Sequence, residues 1–179
     1  MRRFSVLTLL LVLGITGVST AQTDDTGSAK GGDGSKGLSY DPATKTVTFD
    51  LVAGAPGGKG GPFNFNGYTS GAATLTVPAG SKVVMNFVNE DGTPHSAVVV
   101  GGDGPLPSSG SDPAIPGAYT RDVAQGLPQF GKDVLKFTAP DNGAFRIICG
   151  VPGHALSSMW IWLKVDPAAK APSFGETKK

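Results

Sequence analysis

A short segment near the end of the chain holds most of the side chains that could bind a metal ion. Cys149, His154 and Met159 follow one another with four residues between each pair, and His95 precedes an apolar run upstream. The chain has one cysteine and two histidines, so these residues include every thiol and imidazole in it. Two His and one Cys in a plane, with a weak axial Met, form the donor set of a blue copper site. Zinc prefers four strong tetrahedral ligands and does not need the thioether.

The alternation of side chains along β-strands indicates how these residues would meet. Cys149 ends one predicted strand on its apolar face, and Met159 begins another on its apolar face. When both faces point to the core, these two residues lie at one end of the domain, and the loop between them carries His154 to the rim. A strand that begins near Ser96 brings His95 to the same end. A single buried Cys or Met is more often core filling than a ligand, but spacing, chain order and strand phase together favour copper.

The rest of the pattern predicts an all-β domain. The chain has 27 Gly and 14 Pro, which disfavours a helical bundle because both residues break helices. About seven short strands separated by Gly/Pro turns predict a β-sandwich or barrel. One of them, residues 45–53, alternates apolar and polar side chains, and Met85 lies on the apolar face of another. Residues 101–131 form one long Gly/Pro-rich loop, and loops of that length are usually functional or disordered.

The two ends of the chain predict export and flexibility. Residues 1–21 have two arginines, an apolar run shorter than a membrane span, and small residues before a cleavage site, which is typical of a secretory signal. An uncleaved membrane anchor is the alternative. Residues 22–37 predict a flexible linker, residues 38–167 the domain, and residues 168–179 a flexible tail. We therefore expect an extracytoplasmic protein, in the periplasm or at the outer face of the cytoplasmic membrane, either secreted or tethered by its N-terminus.

Composition excludes several classes of function. The formal net charge is +1, so nothing indicates binding to nucleic acid. A single Cys excludes a disulfide scaffold, and Cys and His together are too few for a zinc finger. Two histidines leave none for a second, catalytic copper, nor for a Ser-His-Asp set. We therefore expect no enzymatic activity and no small-molecule substrate.

On these residues the chain resembles the cupredoxins, and within them the rusticyanin and sulfocyanin group, which has the spacing Cys-x4-His-x4-Met. Two further segments are similar to sulfocyanin in particular: Phe63-Asn64-Phe65-Asn66-Gly67 and Thr93-Pro94-His95. The resemblance covers roughly residues 44–165. It implies a cupredoxin-like Greek-key sandwich or barrel of about seven or eight strands, with the long 101–131 loop.

The resemblance also implies one mononuclear type 1 copper site. Its ligands map onto His95, Cys149, His154 and Met159. Ser96 occupies the position directly after the first histidine, where the resemblance implies that it links the two ligand loops and tunes the thiolate by hydrogen bonding. Local hydrogen bonding by a serine at a strand entry is the open alternative.

Family resemblance further implies a monomeric carrier of single electrons that cycles between Cu(I) and Cu(II). The implied partners are redox proteins such as a cytochrome or terminal oxidase of a respiratory chain. The loop around His154 has no charged residue, and we predict that it forms the electron-transfer surface, made of Val151, Pro152, Gly153, Ala155 and Leu156. The alternative is a copper chaperone or buffer that delivers the metal to an oxidase, although such proteins usually expose several Met and His. A structural domain with a vestigial site is a third hypothesis.

Overall fold

Nine β-strands form the regular structure of the computed structural model, which describes residues 37–110 and 112–178. Within that part of the chain there is no α-helix, and accordingly no helix that could span a membrane. The strands are β1 (Leu38–Asp41), β2 (Thr46–Ala53), β3 (Ala73–Pro78), β4 (Lys82–Asn89), β5 (Val98–Gly101), β6 (Lys132–Thr138), β7 (Gly143–Ile148), β8 (Trp160–Asp166) and β9 (Ser173–Glu176). The all-β prediction is confirmed. Seven of the strands, β2 to β8, correspond to those predicted from the sequence, and the short strands β1 and β9 are additional. The predicted signal segment and nearly all of the linker lie outside the described residues.

The strands form two mixed sheets, ordered β1-β2-β4-β6 and β5-β7-β8-β3-β9. β2 and β4 run parallel over eight residue pairs, so both end at the same edge of the fold. In the second sheet, the end of β7 pairs with the starts of both β5 and β8, through Ile148↔Val98 and Ile148↔Trp160. The residues just before β5, just after β7 and just before β8 therefore meet at one end. This topology gathers the candidate metal-binding residues.

The core lies between the sheets and follows the predicted alternation. In β2 the side chains of Val47, Phe49, Leu51 and Ala53 are fully buried, while their neighbours face outward. Met85 in β4 is fully buried, as the sequence predicts. Burying an aliphatic or aromatic side chain of this size contributes about 1.5–3 kcal/mol, so the core supplies the stability that holds the strand ends in place.

The last strand, β9, corrects the prediction of a flexible tail over residues 168–179. It pairs antiparallel with β3, and the ring of Phe174 packs 4.8 Å from that of Phe49 and 5.7 Å from that of Tyr68. The hydroxyl of Thr177 donates to the carbonyl of Gly71 at 2.7 Å. Four residues with one large apolar side chain show no readable alternation, which is why the sequence pattern gives no sign of this strand.

The long loop between β5 and β6 runs beside β5 rather than projecting from the fold. The amide of Val99 donates to the carbonyl of Ala118 at 2.9 Å, and that of Thr120 donates to the carbonyl of Ala97 at 2.9 Å. The buried guanidinium of Arg146 fixes the start of the loop, because it donates to the carbonyls of Gly101, Asp103 and Gly104. The loop therefore forms part of the wall around the metal-binding end.

A small second cluster lies between this loop and the outer face of the five-stranded sheet. Val98, Val100, Ile148 and Ala155 are buried in it. The loop residues Leu106 and Val123 cover the cluster, as does Trp160, whose ring lies 5.2 Å from that of Trp162 in a T-shaped arrangement. The loop after β7 is thus held from outside as well as by the main core.

Candidate metal centre

Three donor atoms converge at the end of the sandwich where β7 ends. The Sγ of Cys149 lies 3.8 Å from Nδ1 of His95 and 3.5 Å from Nδ1 of His154, and the two Nδ1 atoms are 3.2 Å apart. A triangle with these sides has its centre about 2 Å from each corner, close to the length of a metal bond to imidazole or thiolate. The cluster therefore has room for one metal ion in the plane of the three atoms.

Met159 lies next to this triangle and is fully buried in the same core cluster as Cys149. The amide of Cys149 donates to the carbonyl of Met159 at 3.1 Å, and the amide of Met159 donates to the carbonyl of His154 at 3.1 Å. These bonds close the loop between β7 and β8 and keep its three candidate ligands together. With a thiolate, two imidazoles and a thioether, this cluster fits a single type 1 copper site.

Ser96 joins three segments at the centre. Its hydroxyl donates to the carbonyl of Val123 at 2.7 Å and accepts from the amide of Gly150 at 3.0 Å. Its backbone amide, at 3.4 Å, is directed at the Sγ of Cys149. The side chain thus links the β5 entry, the β7 exit and the long loop. Its hydroxyl oxygen also lies 3.9 Å from Sγ, but the shorter contact to the sulfur is the backbone N–H, which any residue but proline would supply.

His95 is fully buried, and the long loop holds its backbone on both sides. The amide of His95 donates to the carbonyl of Leu127 at 3.1 Å, and the amide of Leu127 donates back at 2.7 Å. Gly126 has φ +73°, and a Cβ there would lie only 2.9 Å from the backbone N of His95. A larger residue at 126 would therefore both strain the backbone and displace the histidine.

Burial keeps the three donors uncharged in the absence of metal. It lowers the pKa of His95 to about 4, with the neighbouring His154 acting in the same direction and Asp91 opposing it. Burial also lowers the pKa of His154. It raises the pKa of the Cys149 thiol, although the N–H of Ser96 acts against this. The imidazoles are thus ready to bind metal at neutral pH, while the thiol must first lose its proton.

The rim of the centre is formed by the loop around His154, and here one prediction is wrong. Leu156 is 59% exposed and Pro152 is also exposed, while Val151, Gly153 and His154 are half-buried. Ala155 is only 2% exposed, because it packs with Val98 and Ile148 in the second cluster. It therefore belongs to the support of the rim and not to its surface.

Several residues at the centre are not identifiable from the sequence pattern. The ring of Phe63 stands edge-on to His154 at 4.9 Å between centroids, and the long loop contributes Val123, Gly126 and Leu127. These residues lie in irregular segments, where no periodicity indicates which side chain faces the site. The available signals were the length of the loop and, for Phe63, the similarity of residues 63–67 to sulfocyanin.

Comparisons with known proteins found a matching family model, a similar curated protein and similar solved structures. Residues 33–174, which include all four candidate metal-binding residues, match the family model of the sulfocyanin (SoxE) domain. The chain is 31% identical over 140 residues to sulfocyanin of Sulfolobus acidocaldarius, covering 74% of this chain and 70% of that protein. Among solved structures, auracyanin A, a "blue" copper protein of Chloroflexus aurantiacus, is 25% identical over 68% of this chain and 99% of its own, with a TM-score of 0.49. Rusticyanin from Thiobacillus ferrooxidans is 28% identical over 68% of this chain and 82% of its own, with a TM-score of 0.48.

Proposed function

This chain belongs to the sulfocyanin (SoxE) family, and on that premise we propose that it is an exported type 1 copper protein that carries single electrons between redox partners of a respiratory chain. The observation that carries the proposal is the convergence of one Cys Sγ and two His Nδ1 atoms within 3.2–3.8 Å of one another. A single site of this composition serves one-electron transfer and leaves no imidazole for a second metal.

In this proposal His95, Cys149 and His154 would hold the copper, and Met159 would supply a further, weaker ligand. Copper bound there supplies one-electron chemistry by alternating between Cu(I) and Cu(II). The protein's contribution is a rigid pocket, because the donors are fixed by strand ends and by the hydrogen bonds around Ser96. Ligands that cannot move far require little rearrangement when the charge of the metal changes.

The rim supports the exchange of electrons with another protein. His154 is half-buried there, beside exposed Pro152 and Leu156, and no charged residue lies between positions 149 and 159. Small apolar surfaces of this kind suit the brief contacts of redox proteins. We propose that a cytochrome or terminal oxidase docks on this rim, and that the carrier acts as a monomer.

The burial of the donors argues against the chaperone alternative. Cys149, His95 and Met159 are all fully buried, so direct transfer of the metal to another protein would require the core to open. An electron needs no such opening, because it can be exchanged through the edge of a half-buried ring.

The cellular location forms a further part of the proposal. The basic and apolar pattern of residues 1–21 supports export, and a retained apolar segment would tether the carrier at the outer face of the membrane. Mass spectrometry of the mature N-terminus distinguishes a chain that begins after Ala21 from one that keeps the segment.

The decisive experiment is to add Cu(II) to the metal-free protein and record its visible spectrum. We expect one equivalent to bind with an intense thiolate-to-copper band, which disappears on reduction and returns on oxidation. Binding of Cu(I) alone, without colour, would support a chaperone, and the absence of stoichiometric binding would support a vestigial site. Either result would overturn the electron-carrier proposal.

A further inference from the structure

His95 has a second ring nitrogen, which faces away from the metal-binding triangle. This atom, Nε2, is buried and has no hydrogen-bond partner among the described residues. The carboxylate oxygen Oδ1 of Asp91 lies 3.7 Å from it. When Nδ1 of a neutral imidazole binds a metal, Nε2 carries the proton and needs an acceptor. A carboxylate four residues before the histidine is therefore close to a buried donor that has no acceptor of its own.

We propose that Asp91 is the positioning residue for His95: its carboxylate accepts a hydrogen bond from Nε2–H when Nδ1 faces the copper, and its negative charge lowers the reduction potential of the site. A carboxylate behind a metal-bound histidine fixes the orientation of the ring and makes the imidazole a stronger donor. A negative charge near the metal favours the more positive ion, Cu(II), over Cu(I). This inference rests on the proposed copper site.

Hydrogen bonds within the loop after β4 hold Asp91 in this place. The side-chain oxygen of buried Asn89 accepts from the amide of Asp91 at 2.9 Å, and Oδ1 of Asp91 accepts from the amide of Thr93 at 2.7 Å. The amide group of Asn89 in turn donates to the carbonyls of Thr93 and Leu127. Leu127 is also the backbone partner of His95. The carboxylate and the histidine are thus fixed to one another through the same network.

The end of β2 also contacts the segment that carries Asp91, through Ala53 and Gly54. The amide of Glu90 donates to the carbonyl of Ala53 at 2.9 Å. Gly54 follows with φ +63°, and a Cβ at that position would overlap the Cβ of Asp91. Gly54 therefore satisfies the positive φ and leaves the space that Asp91 occupies. Two strand ends and a glycine thus determine where the carboxylate lies.

The carboxylate stays ionised in this setting. The amide of Thr93, which donates to this carboxylate, is the main reason that the pKa of Asp91 lies below its usual range. The Asp91 side chain is 29% exposed, so water partly screens its charge. We therefore expect a measurable effect on the copper but not a dominant one.

The test compares Asp91→Asn and Asp91→Ala with Asp141→Asn as the control. Asparagine keeps an oxygen for the amide of Thr93 and removes only the charge, whereas alanine removes both. Asp141 is exposed in the turn before β7, at the opposite end of that strand from Cys149, so its substitution makes the same change of charge at a distance. Affinities for Cu(II) and Cu(I) and the midpoint potential are measured for each variant and for the unaltered protein.

We expect Asp91→Asn, which keeps an acceptor oxygen but removes the charge, to lower the affinity for Cu(II) by about tenfold, the lower end of the usual effect of losing such a partner. The affinity for Cu(I) should fall less, so the midpoint potential rises, by about 59 mV for each tenfold difference between the two losses. Asp91→Ala should lower both affinities further, and Asp141→Asn should change neither. Equal potentials and affinities for Asp91→Asn and Asp141→Asn would overturn the proposal.

A second measurement uses the unaltered protein, so it tests the hydrogen bond between His95 and Asp91 even if the variants do not fold. With only two histidines in the chain, ¹⁵N-histidine NMR of the Cu(I) form should show one slowly exchanging Nε2 proton, that of His95, shifted downfield by a charged acceptor. A signal without that shift would contradict the role of Asp91. Failure of the unaltered protein to give the thiolate band would instead overturn the proposed function, so the two failures are distinguishable.

Discussion

The two histidines of the metal centre lie in opposite environments. His95 is fully buried, its backbone is bonded to the long loop through Leu127, and Asp91 lies behind its ring. His154 is half-buried in the loop between β7 and β8, where its ring meets Phe63 on one side and its neighbour Leu156 is exposed. The centre therefore has a closed half, around His95, and an open half, around His154.

This difference separates two requirements that a redox site must meet together. Constant geometry needs ligands held on all sides, which the closed half provides through strand ends, Ser96 and the 89–95 loop. Rapid exchange of electrons needs a ligand close to the surface. The open half provides one in His154, whose ring is only half-buried. Rigidity and access are thus supplied by different segments of the chain, so we expect that each can be changed without the other.

The largest effect should come from removing each imidazole in turn. In His95→Gly and His154→Gly we expect the thiolate band of the copper-loaded protein to be lost or strongly shifted, because one of three in-plane donors is missing. Added imidazole should restore the band in His154→Gly, since that vacancy opens at the rim. It should not restore it in His95→Gly, where the vacancy is enclosed. Visible absorption during an imidazole titration measures both.

The same pair of variants tests whether the two halves really differ in access. Restoration of both bands at similar imidazole concentrations would mean that the closed half opens readily in solution. The circular dichroism spectrum of each metal-free variant is the control, because it shows whether the sandwich has kept its strands.

A smaller effect is expected from Ser96→Ala in the closed half. The substitution leaves the carbonyl of Val123 and the amide of Gly150 without their buried partner, at about 1–3 kcal/mol of unfolding free energy for each group left unpaired. The thiolate band should shift little, because the backbone N–H of residue 96 still donates to Sγ, whereas the hydroxyl, 3.9 Å from Sγ, donates its proton to the carbonyl of Val123. Urea denaturation of the metal-free protein measures the loss of stability.

Ser81→Ala is the matched control for this substitution. Ser81 is also buried, at 1% exposure, but its hydroxyl has no hydrogen-bond partner among the described residues. Its loss should therefore leave the free energy of unfolding unchanged or slightly raise it. Equal destabilisation by the two serine substitutions would show that the links made by Ser96 do not hold the closed half together.

Metal-binding residues at strand ends could be placed from the sequence more reliably than residues in irregular segments. Cys149 and Met159 lie at strand ends, where a period of two determines which residues face inward, and both are buried as expected. His95 could be placed because it directly precedes a strand. The convergence of these residues was predicted from their spacing, their order in the chain and the phase of the strands.

Contacts made by irregular segments could not be predicted in the same way. Asn89, Val123 and Gly126 act through backbone hydrogen bonds and close approach, which leave no periodic trace in a sequence. Ala155 shows the same limit, because an apolar residue in a loop can face solvent or a neighbouring segment. Here it is covered by a loop that lies some thirty to fifty residues earlier in the chain.

The smallest effect should come from adding a charge to the open half, and electron self-exchange between two copies of the protein measures it without knowledge of the partner. When two rims meet, the residue at 156 approaches its own copy, so Leu156→Lys and Leu156→Glu both bring like charges together. We expect each to lower the self-exchange rate constant about tenfold or less, with recovery at high salt as the repulsion is screened. The thiolate band should remain unchanged.

Val134 provides the control for that experiment, because it is 45% exposed in β6 of the other sheet and presents an apolar side chain of similar size. Val134→Lys and Val134→Glu add the same charges and alter the net charge of the protein equally. If self-exchange requires the open half, only the substitutions at 156 slow it beyond the small effect of net charge. Equal slowing at both positions, or no slowing at 156, would mean that electrons leave the centre by another surface, and the division between a closed and an open half would then have no consequence for electron transfer.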